Sequence, residues 1–247
     1  MGELEVSLPT EVVASTVRNP KLMIIYSPPK TGKTTLLSKL EGNLIIDLEK
    51  GTKYLDALKM EIDSLDQLQS TGAAIVKAGK PYKYVTIDTI TKLEEMCLGV
   101  AKQMYMGTPM GKNFDGNSIL ELPQGAGYFW LRQAFTMWLG KIKKLADHII
   151  LVGHIKDKYI EKKGKEVMAK DLDLTGKLKQ IVTSDADAIG YLYRDAENSL
   201  VLNFKSSDEI TCGARPAHLK GREITMAKYD EETNDVTDVA WNEVFID

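Results

Sequence analysis

The residues with the clearest chemical signature lie close together near the start of the chain. Ser27-Pro28-Pro29-Lys30-Thr31-Gly32-Lys33-Thr34-Thr35 follows the pattern G-x-x-x-x-G-K-[ST] at every position but the first, where Ser27 stands in for glycine. An apolar run, Leu22-Met23-Ile24-Ile25-Tyr26, precedes it, and a helical pattern follows. Strand, turn and helix start, in that order, aim successive backbone N–H groups and the positive end of the helix at one point, where an anionic phosphate can sit. Gly32 lets the backbone approach, Lys33 can reach the β- and γ-oxygens of ATP, and Thr34 offers a hydroxyl to Mg²⁺. Pro28 and Pro29 donate no hydrogen bond but stiffen the turn, and Ser27 is small enough to replace glycine if its φ is negative. All nine residues, 27–35, are expected to form an ATP-binding loop. Asp88 closes the run Tyr84-Val85-Thr86-Ile87-Asp88, which carries a carboxylate to the C-terminal edge of a strand, where it is expected to hold magnesium together with Thr34. Capping of the helix that follows is its plainer role.

These residues need a scaffold, and the chain is long enough to build one. Its 247 residues, 43% hydrophobic and 27% charged, suit a globular protein with one substantial core. Two cysteines, Cys97 and Cys212, are too few for a disulfide framework, and their spacing is not that of a zinc site. The acidic start and the absence of a long aliphatic stretch argue against secretion and membrane insertion, so a cytoplasmic location is expected. A formal charge of −3 excludes a uniformly basic nucleic-acid coat but leaves room for a local basic loop. The apolar runs at 22–26, 44–47, 84–88 and 148–154 are continuous rather than alternating, as parallel strands covered on both faces require. Helices are expected over 34–40 and 130–146. The reading is an α/β three-layer sandwich. Past residue 180 short strands are expected at 188–193, 199–204 and 223–228, with 236–241 closing a terminal hairpin. Residues 1–20 read as an N-terminal arm and 21–247 as one core with a β-rich extension. The glycine-interrupted stretch 104–127 reads as a long loop.

The stretch from Asp47 to Tyr54 resembles the element that follows the phosphate loop in RecA-like ATPases, and the chain is similar to phage nucleotide-binding proteins with a minimal RecA-like core, some of them single-strand annealing recombinases. The likeness rests on residues 27–35, 47–54, 84–89, 148–154 and 217–222. It implies that Glu49 activates the attacking water and that His154, where such proteins usually keep glutamine, senses the γ-phosphate. It implies that residues 156–179, with eight lysines and five acidic residues, form a mobile DNA loop. In that loop Lys156, Lys158, Lys162, Lys163 and Lys165 can track phosphates and Tyr159 can stack on a base. It also implies that Lys220 and Arg222 reach the ATP site of a neighbouring subunit. The expected partners are single-stranded DNA, further copies of the chain in a filament or ring, and a single-strand-binding protein; no membrane partner is expected.

The function so implied is ATP-dependent binding of single-stranded DNA in phage recombination or replication. A helicase loader of the AAA+ type is the first rival, but it predicts an acidic residue directly after Asp88 and a helical C-terminal lid. The sequence has Thr89 and a β-rich end. A nucleotide kinase is the second, and it commonly clamps two phosphorylated substrates with several arginines. The five here, Arg18, Arg132, Arg194, Arg215 and Arg222, form no lid-like cluster in the sequence. A non-hydrolysing ATP-binding module is the third, because Glu49 is assigned by position alone.

Overall fold

A computed structural model describes residues 8, 10–162, 165–230, 232–233 and 235–247. In chain order the strands are β1 (Leu22–Ser27), β2 (Asn43–Asp47), β3 (Lys59–Glu61), β4 (Tyr84–Asp88), β5 (His148–Lys162), β6 (Lys165–Leu172), β7 (Ala188–Arg194), β8 (Leu200–Asn203), β9 (Gly213–Ala214), β10 (Glu223–Asp230) and β11 (Asp235–Thr237). The helices are α1 (Lys33–Ser38), α2 (Leu65–Lys77), α3 (Ile90–Met106), α4 (Ala126–Ile142), α5 (Gly176–Asp185) and α6 (Trp241–Val244).

One mixed sheet runs in the order β11-β10-β8-β7-β1-β5-β4-β2-β3, with β6 paired to β5 and β9 to β7. From β3 to β7 the pairs are parallel; β8, β10 and β11 extend the sheet antiparallel. Side chains alternate across β1, so Leu22, Ile24 and Tyr26 face a core built with α2, α3, α4 and α5, while Met23 and Ile25 face a second core with α1 and α6. Both faces are covered, and this is why the strands read as unbroken apolar runs. The three-layer α/β fold with an antiparallel extension expected from the sequence is the one observed. Among the described residues no helix is long and apolar enough to cross a membrane.

Three local expectations are corrected. Residues 104–127 are not a structureless loop: α3 runs to Met106, and short 3-10 turns at Ile119–Glu121 and Pro123–Gly125 lead into α4. Ser118 and Glu121 form a capping box and Ile119 is fully buried. Gly127 read as a loop glycine but lies within α4, where a Cβ would come 2.0 Å from the Ile119 carbonyl oxygen. Second, residues 156–162 and 165–172 form most of an antiparallel ribbon, β5 with β6, rather than a mobile loop, and α5 follows it. Third, the last strand is short. Trp241 opens α6 instead, its indole N–H donating to the Leu36 carbonyl at 3.0 Å, so the C-terminal end packs on α1.

Candidate functional site

The parallel register brings residues of four strands together. Ser27 of β1 lies opposite His154 of β5, and Asp47 of β2 opposite Asp88 of β4. The chain from Ser27 to the start of α1 wraps back on itself. Thr31 donates to the Pro28 carbonyl at 2.8 Å, and Gly32 takes φ 112°, a left-handed conformation that glycine adopts at little cost. Gly32 precedes α1 without any side-chain cap, which leaves the first N–H groups of the helix free to meet an anion.

Lys33 is buried and turns inward. Its Nζ donates to Ser27 Oγ at 2.8 Å and to the carbonyls of Pro28 and Ser27 at 3.1 and 3.4 Å. The serine that departs from the motif therefore gives the lysine an extra acceptor that glycine lacks. Burial pulls the Lys33 ammonium below its ordinary range, while Asp88 and Glu49 oppose the shift. Thr34 donates its hydroxyl to Asp88 Oδ2 at 2.8 Å. Burial pushes the Asp88 carboxyl up to about 6 against that bond, and the nearby Asp47 and Glu49 add to the rise. A hydroxyl and a carboxylate meeting in this way are hard oxygen donors suited to Mg²⁺. No group of three or more His, Cys, Asp or Glu side chains that could hold a metal occurs among the described residues. An ion held by Thr34 and Asp88 would complete its shell with phosphate and water.

Glu49 stands just past the end of β2. Its Oε1 accepts from Thr89 Oγ1 at 2.7 Å, and His154 Nε2 lies 3.0 and 3.3 Å from its two oxygens. The turn carrying it is fixed by Asp47, which is 1% exposed and accepts from the Glu49 N–H and from both the N–H and hydroxyl of Thr52. Burial alone would raise the Asp47 carboxyl, but these bonds outweigh it and hold the group below the usual carboxylate range. His154 Nδ1 is buried with no hydrogen-bond partner among the described residues.

Further contributors were not singled out from the sequence. Arg194, at the end of β7, donates from Nε to the Thr31 carbonyl at 3.1 Å and from Nη1 to Asn198 at 2.8 and 3.2 Å, so it braces the phosphate loop from behind. Its Nη2 lies 3.3 Å from where a Cβ on Gly32 would stand. Only the sheet order, which puts β7 beside β1, reveals this contact. Tyr54 is 97% exposed and lines a cleft of about 280 Å³ with Lys30, Gly32, Lys33, Thr34, Thr35 and Gly51. The Lys59 ammonium donates to the carbonyls of Thr52 and Leu55, fixing the turn between them.

The remaining expected residues lie elsewhere. Arg222 bonds to Glu243 of α6 at 2.7 Å and to the His218 carbonyl, and Lys220 is exposed on the same turn; these bonds run to the C-terminal end of the chain rather than to the phosphate loop. On the ribbon, strand alternation places Lys156 and Lys158 on one face and Tyr159 on the other, where it pairs with Met168. Lys156 lies 3.8 Å from Asp173. Lys162 and Lys165 pair at the end of the ribbon, and Lys163 falls outside the described residues.

Among known proteins, the model of a family described as AAA domain matches residues 19–216. No curated protein matches the chain. A crystal structure of the RadB recombinase is similar, with 16% identity over 90% of this chain and 92% of that one and a TM-score of 0.46. A likeness of that size says nothing of what the chain acts on. The family match takes in the phosphate loop, the Asp88 strand end, Glu49 and His154, and stops short of Lys220 and Arg222. The chain belongs to the AAA domain family of P-loop ATPases.

Proposed function

We propose that the chain binds and hydrolyses ATP with magnesium, and that it couples this to binding single-stranded DNA in recombination or replication of a phage genome. The observation that carries the catalytic part is the convergence of Lys33, Thr34, Asp88 and Glu49 on one uncapped helix start. Backbone N–H groups of α1 would take the phosphates, and Lys33 would leave the Ser27 hydroxyl for a γ-oxygen. Magnesium at Thr34 and Asp88 would offset the charge between the outer phosphates. Glu49, held by Thr89 and His154, would accept a proton from water. Tyr54 at the mouth of the cleft offers a face on which an adenine could stack.

His154 belongs to β5, which continues directly into the ribbon, so a ligand on the ribbon is linked to Glu49 along the chain to His154 and then through its hydrogen bond. This supports DNA-linked turnover. Arg222, already bonded to Glu243 of α6, and the exposed Lys220 would act only on the site of a neighbouring copy in a filament or ring. Thr89 after Asp88 and the antiparallel C-terminal strands disfavour the helicase-loader alternative.

The test is ATP turnover with and without single-stranded DNA, for the wild type and Lys33→Ala. Turnover that rises with DNA in the wild type and vanishes in Lys33→Ala is expected. Equal turnover in both removes the phosphate-loop assignment, and wild-type turnover indifferent to DNA removes the coupling.

A further inference from the structure

Between α2 and α4, away from the phosphate loop, lies a groove of about 490 Å³. Its floor is apolar, from Leu68, Gly72, Ala73 and Val76 of α2 to Trp138 and Ile142 of α4, and Lys77, Lys141 and Lys144 stand around it. Trp138 is 5% exposed, and its indole N–H has no hydrogen-bond partner among the described residues. The Lys141 ammonium lies 4.3 Å over the indole ring. The groove therefore suits an occupant that brings apolar side chains and negative charge.

The chain carries a segment of that composition. Residues 10–18 form neither helix nor strand and are exposed throughout; Val12 is 100% and Val13 81% exposed. The first seventeen residues include Glu3, Glu5 and Glu11 and no basic residue. A segment of this composition offers valines for the floor and carboxylates for the lysines. Its root is tied down: Arg18 donates to the Asp247 carbonyl at 3.1 Å, and Asn19 exchanges two hydrogen bonds with Ile246. That tail follows α6, which belongs to the helical layer opposite the one that holds the groove. The arm also precedes residue 19, where the family match begins.

We infer that the α2/α4 groove receives the N-terminal arm of a second copy of the chain, giving a head-to-tail contact. Such a contact leaves one arm and one groove free at the ends of any open assembly, so it can propagate or close into a ring. It is independent of the ATPase reading and can be tested on nucleotide-free protein.

The test uses sedimentation velocity on three proteins: the full chain, a chain lacking residues 1–17, and Ala73→Glu, which sets a carboxylate on an exposed position of the groove. The full chain is expected to gain mass with concentration, while each altered chain alone stays monomeric. Mixed together, the armless chain offers an intact groove and Ala73→Glu an intact arm, so a one-to-one dimer that grows no further is expected. The double variant Lys141→Glu with Lys144→Glu serves as a second groove block should Ala73→Glu fail to fold. A full chain that is monomeric throughout, an armless chain that associates as well as the full one, or a mixture that stays monomeric would each overturn the inference.

Discussion

Glu49→Gln separates charge from position at the candidate catalytic residue. Glutamine keeps the shape, and its carbonyl oxygen can still accept the Thr89 hydroxyl that now lies 2.7 Å from Glu49 Oε1. Its amide would face His154 Nε2, now 3.3 Å from Oε2, and the imidazole can meet it in the tautomer that accepts there. What the variant loses is a group that can take a proton. A positioned general base is worth about 10²–10⁴-fold in rate, or roughly 3–5 kcal/mol of barrier. The Glu49 side chain is 36% exposed, so folding stability should change by no more than about 0.5 kcal/mol. Binding of ATP should persist, because Lys33, Thr34 and the helix start remain. The assay is single-turnover hydrolysis at saturating ATP and magnesium, beside an equilibrium titration with a fluorescent ATP analogue. A cleavage rate within about threefold of the wild type, well short of the loss expected of a base, would return Glu49 to the solvated surface. Thr89→Val supplies a graded comparison: loss of one hydrogen bond to a carboxylate, about 1.5 kcal/mol at the lower end for a charged partner, should slow cleavage about tenfold. Thr89 also caps α3 by accepting from the Lys92 N–H, so Thr89→Ser, which keeps both bonds, should restore the rate.

Three further outcomes are expected. Arg194→Gln removes the bond to the Thr31 carbonyl and should weaken ATP binding about tenfold, the equivalent of roughly 1.4 kcal/mol from a charge-assisted bond, with kcat little changed; an unaltered KM would show that the loop needs no brace. Replacing Lys156 and Lys158, which share one ribbon face, with alanine should lower the salt dependence of single-strand binding by about 1.4 in log–log slope, at about 0.7 per phosphate contact. Tyr159→Ala on the other face should leave that slope intact, and the opposite pattern would place the strand on the tyrosine side. Asp47→Asn replaces a buried carboxylate that accepts three hydrogen bonds and should destabilise the fold by about 1–3 kcal/mol at neutral pH, read as a lower midpoint in urea. Because the folded Asp47 carboxyl lies below its ordinary range, its contribution is complete above the unfolded value of about 4 and fades as pH falls through the folded one, so the two proteins should converge in acid.

What the sequence disclosed and what it hid divide along a physical line. Parallel strands covered on both faces must be apolar along their whole length, so β1, β2, β4 and the first half of β5 announce themselves, as does a turn whose chemistry demands Gly32-Lys33-Thr34. Contacts that exist only because two distant segments share a sheet edge leave no such mark. Arg194 lies 163 positions from Thr31, and nothing near it in the chain hints that β7 will pair with β1. Glycine misleads for a related reason: Gly127 sits inside a helix because the Ile119 backbone passes against it, whereas its local signal is that of a loop. The ribbon shows the limit from the other side. Its lysines were legible as a charged run, but only strand register tells which of them share a face. Lys156 and Lys158 turn away from Tyr159, so a strand of DNA that follows those two lysines cannot also stack on that tyrosine without crossing the ribbon's edge.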